Sequence, residues 1–266
     1  MSTSGEAVPA VLVIAGSDSS GGAGLARDVR TLRDFGVEAA CAITAVTAQS
    51  HSRVWAVHPI PPELIVAQIL SALESRPIGA IKIGMLGAAA AVEAVAHALA
   101  RERHIPIVLD PVLRSSSGGV LLDAAGERAM RERLFPLTTL LTPNIPEAAH
   151  LVNEEEGVTG SPDTATLLEW AAALLRQGPR AVLIKAGHAT GAEAADLLAG
   201  AEGTRRWLTS PRLAGSARGT GCALAPGIAA GLALGQGLEE ACWSARQYVL
   251  NLLTVTDLPS GRSQAS

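Results

Sequence analysis

Short aliphatic runs rich in Val, Ile and Leu recur along this chain, and most are followed by a segment whose apolar residues fall at helical spacing. A short run of branched apolar residues reads as a buried strand. Strands are expected at 10–15, 38–45, 79–83, 106–109, 138–141 and 181–185, with weaker ones near 195–199 and 204–209. Helices are expected at 23–35, 62–75, 88–102, 123–134, 145–153, 163–177, 221–234 and 238–255. Such alternation predicts an α/β fold with a central, mostly parallel sheet and helices on both faces. The 266 residues show no repeat and no interdomain linker, so one domain is expected, with 1–9 and 258–266 as loose ends.

Composition narrows the function. With 48% hydrophobic and 17% charged residues, the chain can bury a large core, and with 3% aromatics that core must be aliphatic. A formal charge of −4 supplies no basic field, which argues against a nucleic-acid partner. The three cysteines, Cys41, Cys222 and Cys242, are too few for a disulfide framework and fit a reducing compartment. Cys41 and Cys242 lie among apolar residues and read as small core side chains. No secretory leader and no membrane-length apolar stretch stands out, so a cytoplasmic protein is expected, with no membrane partner.

Two glycine-rich corners carry the chemistry. Near the C-terminus, Arg218-Gly219-Thr220-Gly221-Cys222-Ala223 precedes a small-residue helix. Glycines let backbone approach a ligand closely, and a helix N-terminus offers unpaired N–H groups to an anion. A cysteine there should ionise more readily than a free thiol and could accept a proton from a hydroxyl. Phosphoryl transfer to an alcohol is one reading of this corner; an ordinary turn with a buried cysteine is the other. At the N-terminal end, Val11–Ala15 breaks into Gly16-Ser17-Asp18-Ser19-Ser20-Gly21-Gly22-Ala23-Gly24, and Leu25, Val29, Leu32 and Phe35 follow at helical spacing. A strand, a glycine loop and a helix make a common phosphate or nucleotide unit. The spacing fits neither the dinucleotide fingerprint nor the Walker loop.

These segments, with Ile43–Gln49, Lys82-Ile83-Gly84-Met85-Leu86, Val108-Leu109-Asp110-Pro111-Val112, Thr142-Pro143-Asn144-Ile145-Pro146-Glu147 and Ile184-Lys185-Ala186-Gly187-His188, come in one order. In that order the chain resembles the hydroxymethylpyrimidine/phosphomethylpyrimidine kinases of thiamine biosynthesis, within the ribokinase-like superfamily, from about Val11 to about Asp257. The resemblance implies ATP and Mg²⁺, a small pyrimidine alcohol or its phosphate as substrate, and a homodimer. It implies Cys222 as the base, with Gly219, Thr220 and Gly221 lending N–H groups to the moving phosphoryl.

By the same resemblance Asp28, Gln49, Thr47 and Met85 would meet the pyrimidine. Asp28, between Arg27 and Val29 in a helix, otherwise reads as a solvated carboxylate, Gln49 as a loop residue and Met85 as core. Lys185, Asn144 and Gly187 would meet ATP; Glu147 and Asp110 would lie near the metal. The Asn144-x-x-Glu147 spacing by itself reads as a helix capping box. The polar segment Arg114–Gly119 suits a flap. Arg218 stands where the family often has His, and no lysine stands in the flap. Pro226 is expected in the first turn of a helix capped by Cys222. Two alternatives remain: a pyridoxal or pyridoxine kinase, and a catalytically idle pyrimidine sensor.

Overall fold

The computed structural model describes residues 10–50, 53–115, 118–154, 162–186, 193–211 and 220–256. Among them, nine strands form one sheet: β1 (Ala10–Asp18), β2 (Glu38–Gln49), β3 (Val54–Pro59), β4 (Ile78–Ile83), β5 (Ile107–Leu109), β6 (Leu140–Leu141), β7 (Ala181–Ile184), β8 (Glu193–Gly200) and β9 (Arg205–Pro211). Their order is β3-β2-β1-β4-β5-β6-β7-β8-β9. The six strands from β2 to β7 pair in parallel; β3, β8 and β9 add antiparallel edges. The order reverses between β1 and β4, which opens the crevice where α/β sheets bind ligands.

Strand alternation builds three layers. Leu12 and Ile14 of β1 face one core, covered by α2 (Pro62–Ser75), α3 (Ala89–Leu99), α4 (Ala124–Ala129), α5 (Ile145–Leu151) and α6 (Thr164–Leu175). Val11, Val13 and Ala15 face the other, covered by α1 (Gly24–Asp34), α7 (Thr220–Ala233) and α8 (Leu238–Thr256). Capping fixes several helix starts. Asp123 accepts from Gly126 N and Asp163 from Thr166 N, both at 2.8 Å, and Pro62 opens α2.

Four local readings change. β3 was not expected; it pairs with β2 across the sheet edge and leaves Trp55 and Val57 exposed. Its residues show no apolar alternation to announce a strand, because neither face is buried: Trp55 to Pro59 are all exposed. β1 and β2 run on to Asp18 and Gln49, so Gln49 ends a strand; neighbouring strands supply the ladder that the local sequence does not ask for. Cys41 is exposed, although it shares a face of β2 with Ala39, whereas Cys242 is buried. Pro226 sits inside α7, not in its first turn, because the helix begins at Thr220. Proline has no N–H, so the Cys222 carbonyl lacks its i+4 donor.

Candidate active site

The C-terminal ends of β1, β2, β4 and β5, with the segments after β6 and β7, open into one cavity of about 1070 Å³. Asp28, Thr47, Gln49, Met85, Asp110, Asn144, Glu147, Lys185 and Cys222 all line it. These positions span nearly the whole chain, and the parallel sheet brings them to one end. Thr220 and Gly221 form the start of α7, beside Cys222. Gly187, His188, Arg218 and Gly219 lie outside the described residues.

The glycine loop is tied down by Asp18. Its Oδ1 accepts from Ser20 N at 2.7 Å, and its Oδ2 accepts from Ser20 Oγ and Ala23 N, both at 2.9 Å. Gly24 closes the turn with φ +56°, and a Cβ there would lie 2.4 Å from the Gly16 carbonyl oxygen. Only glycine fits such a turn and contact. On the neighbouring strand Thr47 Oγ1 donates to Ser17 O at 3.1 Å, and Thr44 Oγ1 to Met85 O at 2.6 Å. This wall of the cavity is thus fixed mainly through backbone.

Two buried ion pairs face the cavity. Asp28, 0% exposed, lies on the inner face of α1 with Thr31 and Leu32, contrary to its reading as a solvated carboxylate. Lys82 Nζ, from β4, donates to Asp28 Oδ2 at 2.7 Å. Burial lifts the Asp28 carboxyl above its usual range, with Lys82 opposing. Burial also works against the Lys82 ammonium, but Asp28 and Asp110 outweigh it and keep it charged. Asp28 Oδ1 is buried with no hydrogen-bond partner among the described residues, so one acceptor is left for a ligand. Sequence reasoning gave Lys82 no role. Its signal was a lysine inside the apolar strand Ile78–Ile83, where a charge must be paired.

The second pair is Lys185 Nζ with Asp110 Oδ1 at 2.7 Å; Thr142 Oγ1 donates to the same oxygen at 3.1 Å. Asp110 and Glu147 hold the Lys185 ammonium well above its ordinary range against the effect of burial. Asn144 and Glu147 form the capping box of α5: Asn144 Oδ1 accepts from Glu147 N, and Glu147 Oε2 from Asn144 N, both at 2.8 Å. Burial, opposed by Lys185 and reinforced by Asp110, lifts the Glu147 carboxyl to about 7. At the far wall, Glu127 lies 2.6 Å from His150 Nε2 and takes Arg131 as well. Neither Glu127 nor His150 was flagged from the sequence.

Among the described residues no cluster of three or more metal-ligating side chains exists. Mg²⁺ asks for less, since it commonly takes one or two carboxylates and completes its shell with phosphate and water oxygens. Glu147 and Asp110, two hard oxygen donors on one cavity wall, fit that demand.

Cys222 departs from expectation. Burial, then the Asp110 carboxylate, push its thiol up to about 11, although Lys82 and Lys185 pull the other way. The readily ionised thiol expected at a helix start is not what this protein holds. The cysteine is half-buried at the cavity wall, and loss of solvent weighs more than the nearby cations.

A mostly parallel sheet with this cavity at its strand ends, and a helix starting at the cavity wall, defines a ribokinase-like kinase. The chain matches the phosphomethylpyrimidine kinase family over residues 18–265 and belongs to it. The hydroxymethylpyrimidine/phosphomethylpyrimidine kinase of Streptomyces coelicolor is 42% identical over 248 residues, covering 92% of this chain and 89% of that one. The phosphomethylpyrimidine kinase structure from Clostridium difficile superposes with a TM-score of 0.78 at 32% identity, covering 92% of this chain and 99% of the other. Pyridoxal kinase from Staphylococcus aureus in complex with AMP-PCP superposes with a TM-score of 0.82 at 29% identity, covering 93% and 89%.

Proposed function

We propose that this protein is a cytoplasmic, single-domain kinase of thiamine biosynthesis. It transfers the γ-phosphoryl group of ATP to the hydroxymethyl oxygen of 4-amino-5-hydroxymethyl-2-methylpyrimidine, and a second phosphoryl group to the resulting monophosphate. The observation that carries this reading is that Cys222, in the first turn of α7, shares one cavity with the Asp28–Lys82 and Lys185–Asp110 pairs.

Each residue then has a task. Asp28 Oδ1, without a hydrogen-bond partner among the described residues, accepts from the exocyclic amine of the ring. Gln49 adds an amide that both donates and accepts, and Thr47 and Met85 wall the ring. Lys185, Asn144 and Gly187 hold the ATP phosphates. Glu147 and Asp110 would hold Mg²⁺, which when bound would neutralise phosphate charge. The N–H groups of Gly219, Thr220, Gly221 and Cys222 meet the equatorial oxygens as the phosphoryl moves. Cys222 takes the hydroxyl proton while the new O–P bond forms and the bond to the β-phosphate oxygen breaks. Catalysis of this kind is mostly positioning and electrostatics.

ADP release should be measured with the pyrimidine alcohol, its monophosphate and pyridoxal in parallel. Turnover of both pyrimidines is expected, and Cys222→Ala should lower it by roughly 10²–10⁴ with ring binding kept. Turnover of pyridoxal alone would make the protein a pyridoxal kinase, and no ADP release with any ring would make it a sensor. Near-normal turnover in Cys222→Ala would remove the cysteine from the mechanism. A homodimer completes the proposal; the exposed Val46, Trp55 and Val57 at the β2–β3 edge support it.

A further inference from the structure

The β7–β8 ladder ends where Ile184 pairs with Leu197. Beyond it the chain needs other acceptors. Lys185 N donates to Pro143 O at 2.9 Å, on the side of β6. Ala186, 1% exposed, donates its N–H to the side chain of Asp196, with 2.9 Å to Oδ1. Asp196 stands in β8 opposite Leu208, which belongs to the apolar layer under α7 and α8. From α8, Arg246 Nη1 reaches the other carboxylate oxygen, Oδ2, while Nη2 donates to Ala194 O at 2.6 Å and Ser210 Oγ at 2.9 Å. Asp196 and Arg246 are both buried, 5% and 6% exposed, and neither lines the cavity.

An ion pair is a costly filling for an apolar layer, and well-packed aliphatic residues would hold α8 on the sheet at least as well. What the carboxylate offers instead is a strong acceptor for one buried N–H that the strand ladder cannot reach. That N–H belongs to the residue directly after Lys185. We propose that Asp196 and Arg246 are positioning residues for the phosphate-binding lysine. Arg246 holds the carboxylate, the carboxylate holds the Ala186 N–H, and Pro143 holds Lys185 N from the other side. The backbone that presents the Lys185 ammonium opposite Asp110 is thereby fixed on both flanks. The inference rests on the reading that Lys185 meets ATP phosphates.

Steady-state kinetics and melting curves of Lys185→Ala, Asp196→Ala and the double variant test it. Asp196→Ala should raise the KM for ATP about tenfold, the scale of one lost buried hydrogen bond, with the KM for the pyrimidine alcohol changed less than about twofold. In the Lys185→Ala background the same substitution should add almost nothing to the KM for ATP, because its effect passes through the lysine. Asp196→Asn keeps an acceptor oxygen and should recover part of the loss. If Asp196→Ala yields no soluble protein, Arg246→Lys and Asp196→Asn carry the test, with the same ATP-directed split at about threefold. Equal changes in both KM values, or undiminished effects beside Lys185→Ala, would overturn the positioning role. An unchanged KM for ATP in Lys185→Ala alone would instead refute the phosphate role of the lysine.

Discussion

The buried Asp28–Lys82 pair makes a prediction that separates stability from function. At 2.7 Å, and with side chains 0% and 4% exposed, the two charges attract by about 6 kcal/mol at an effective dielectric near 20. Stripping both of water costs a comparable amount, so the pair as a whole adds little net stability. Removing one partner is different, because the other keeps its desolvation cost and loses its compensation. Lys82→Met and Asp28→Leu should each destabilise by about 3–5 kcal/mol, lowering Tm by roughly 10 °C. The double variant should return to within about 1 kcal/mol of the parent, since two apolar side chains can occupy the site. Lys82→Met should also respond to pH. Burial already raises the Asp28 carboxyl, and without Lys82 it rises further. A raised carboxyl binds its proton more tightly in the folded state, so stability is kept at low pH and lost as pH climbs through the folded pKa. The defect should therefore be smaller at pH 5 than at pH 8. Urea unfolding of the four proteins at both pH values measures these differences. Ring affinity, by calorimetry, should be lost in Asp28→Leu and in the double variant, with ATP affinity spared. Single-variant losses below about 1 kcal/mol, or a double variant equal to the sum of the singles, would refute the reasoning.

Three further outcomes follow from the same site. With its thiol pushed up to about 11, Cys222 as base should make kcat/KM for the alcohol climb about tenfold per pH unit between 7 and 9, and Cys222→Ala should flatten that slope; a plateau below pH 8 in the parent would contradict it. Glu147, raised from 4.5 to about 7, contributes stability that is full below its unfolded pKa and is lost as pH rises through 7, on the order of 3 kcal/mol. Metal-free urea melts should show that decline in the parent and its absence in Glu147→Gln. In Gly84→Ala the new Cβ would lie 2.5 Å from Lys82 Nζ, which cannot swing away while it is buried against Asp28. A loss of about 1–3 kcal/mol is expected by thermal melting, with ring affinity falling more than ATP affinity.

Much of the architecture is legible in the sequence, and the reason lies in periodicity. Val11, Val13 and Ala15 alternate with Leu12 and Ile14, and both sets are buried, so β1 reads as one continuous apolar run. A central parallel strand must look like that, because helices cover both of its faces. The helix 62–75 was read to the residue, since Pro61-Pro62-Glu63 starts it and Arg76-Pro77 stops it. β3 escaped because an edge strand with a solvent face carries no such run. Pro226 lies deeper than expected because glycines blur where a helix begins: α7 starts at Thr220, two residues before the Cys222 expected to cap it.

Charge was the harder half of the site, for a physical reason. A motif shows that Asp28, Asp110, Lys82 and Lys185 exist, but a charge acquires its meaning from burial and from its partner, and both are tertiary. Asp28 and Lys82 are 54 positions apart, and Lys185 and Asp110 are 75 apart. Only the sheet order, which sets β4 beside β1 and Lys185 within reach of Asp110, creates the pairs. The same burial that makes Asp28 a strong acceptor raises the Cys222 thiol, which local sequence had suggested would fall. Burial in one cavity thus raises both the Asp28 carboxyl and the Cys222 thiol, two consequences of removing water that no local motif can weigh.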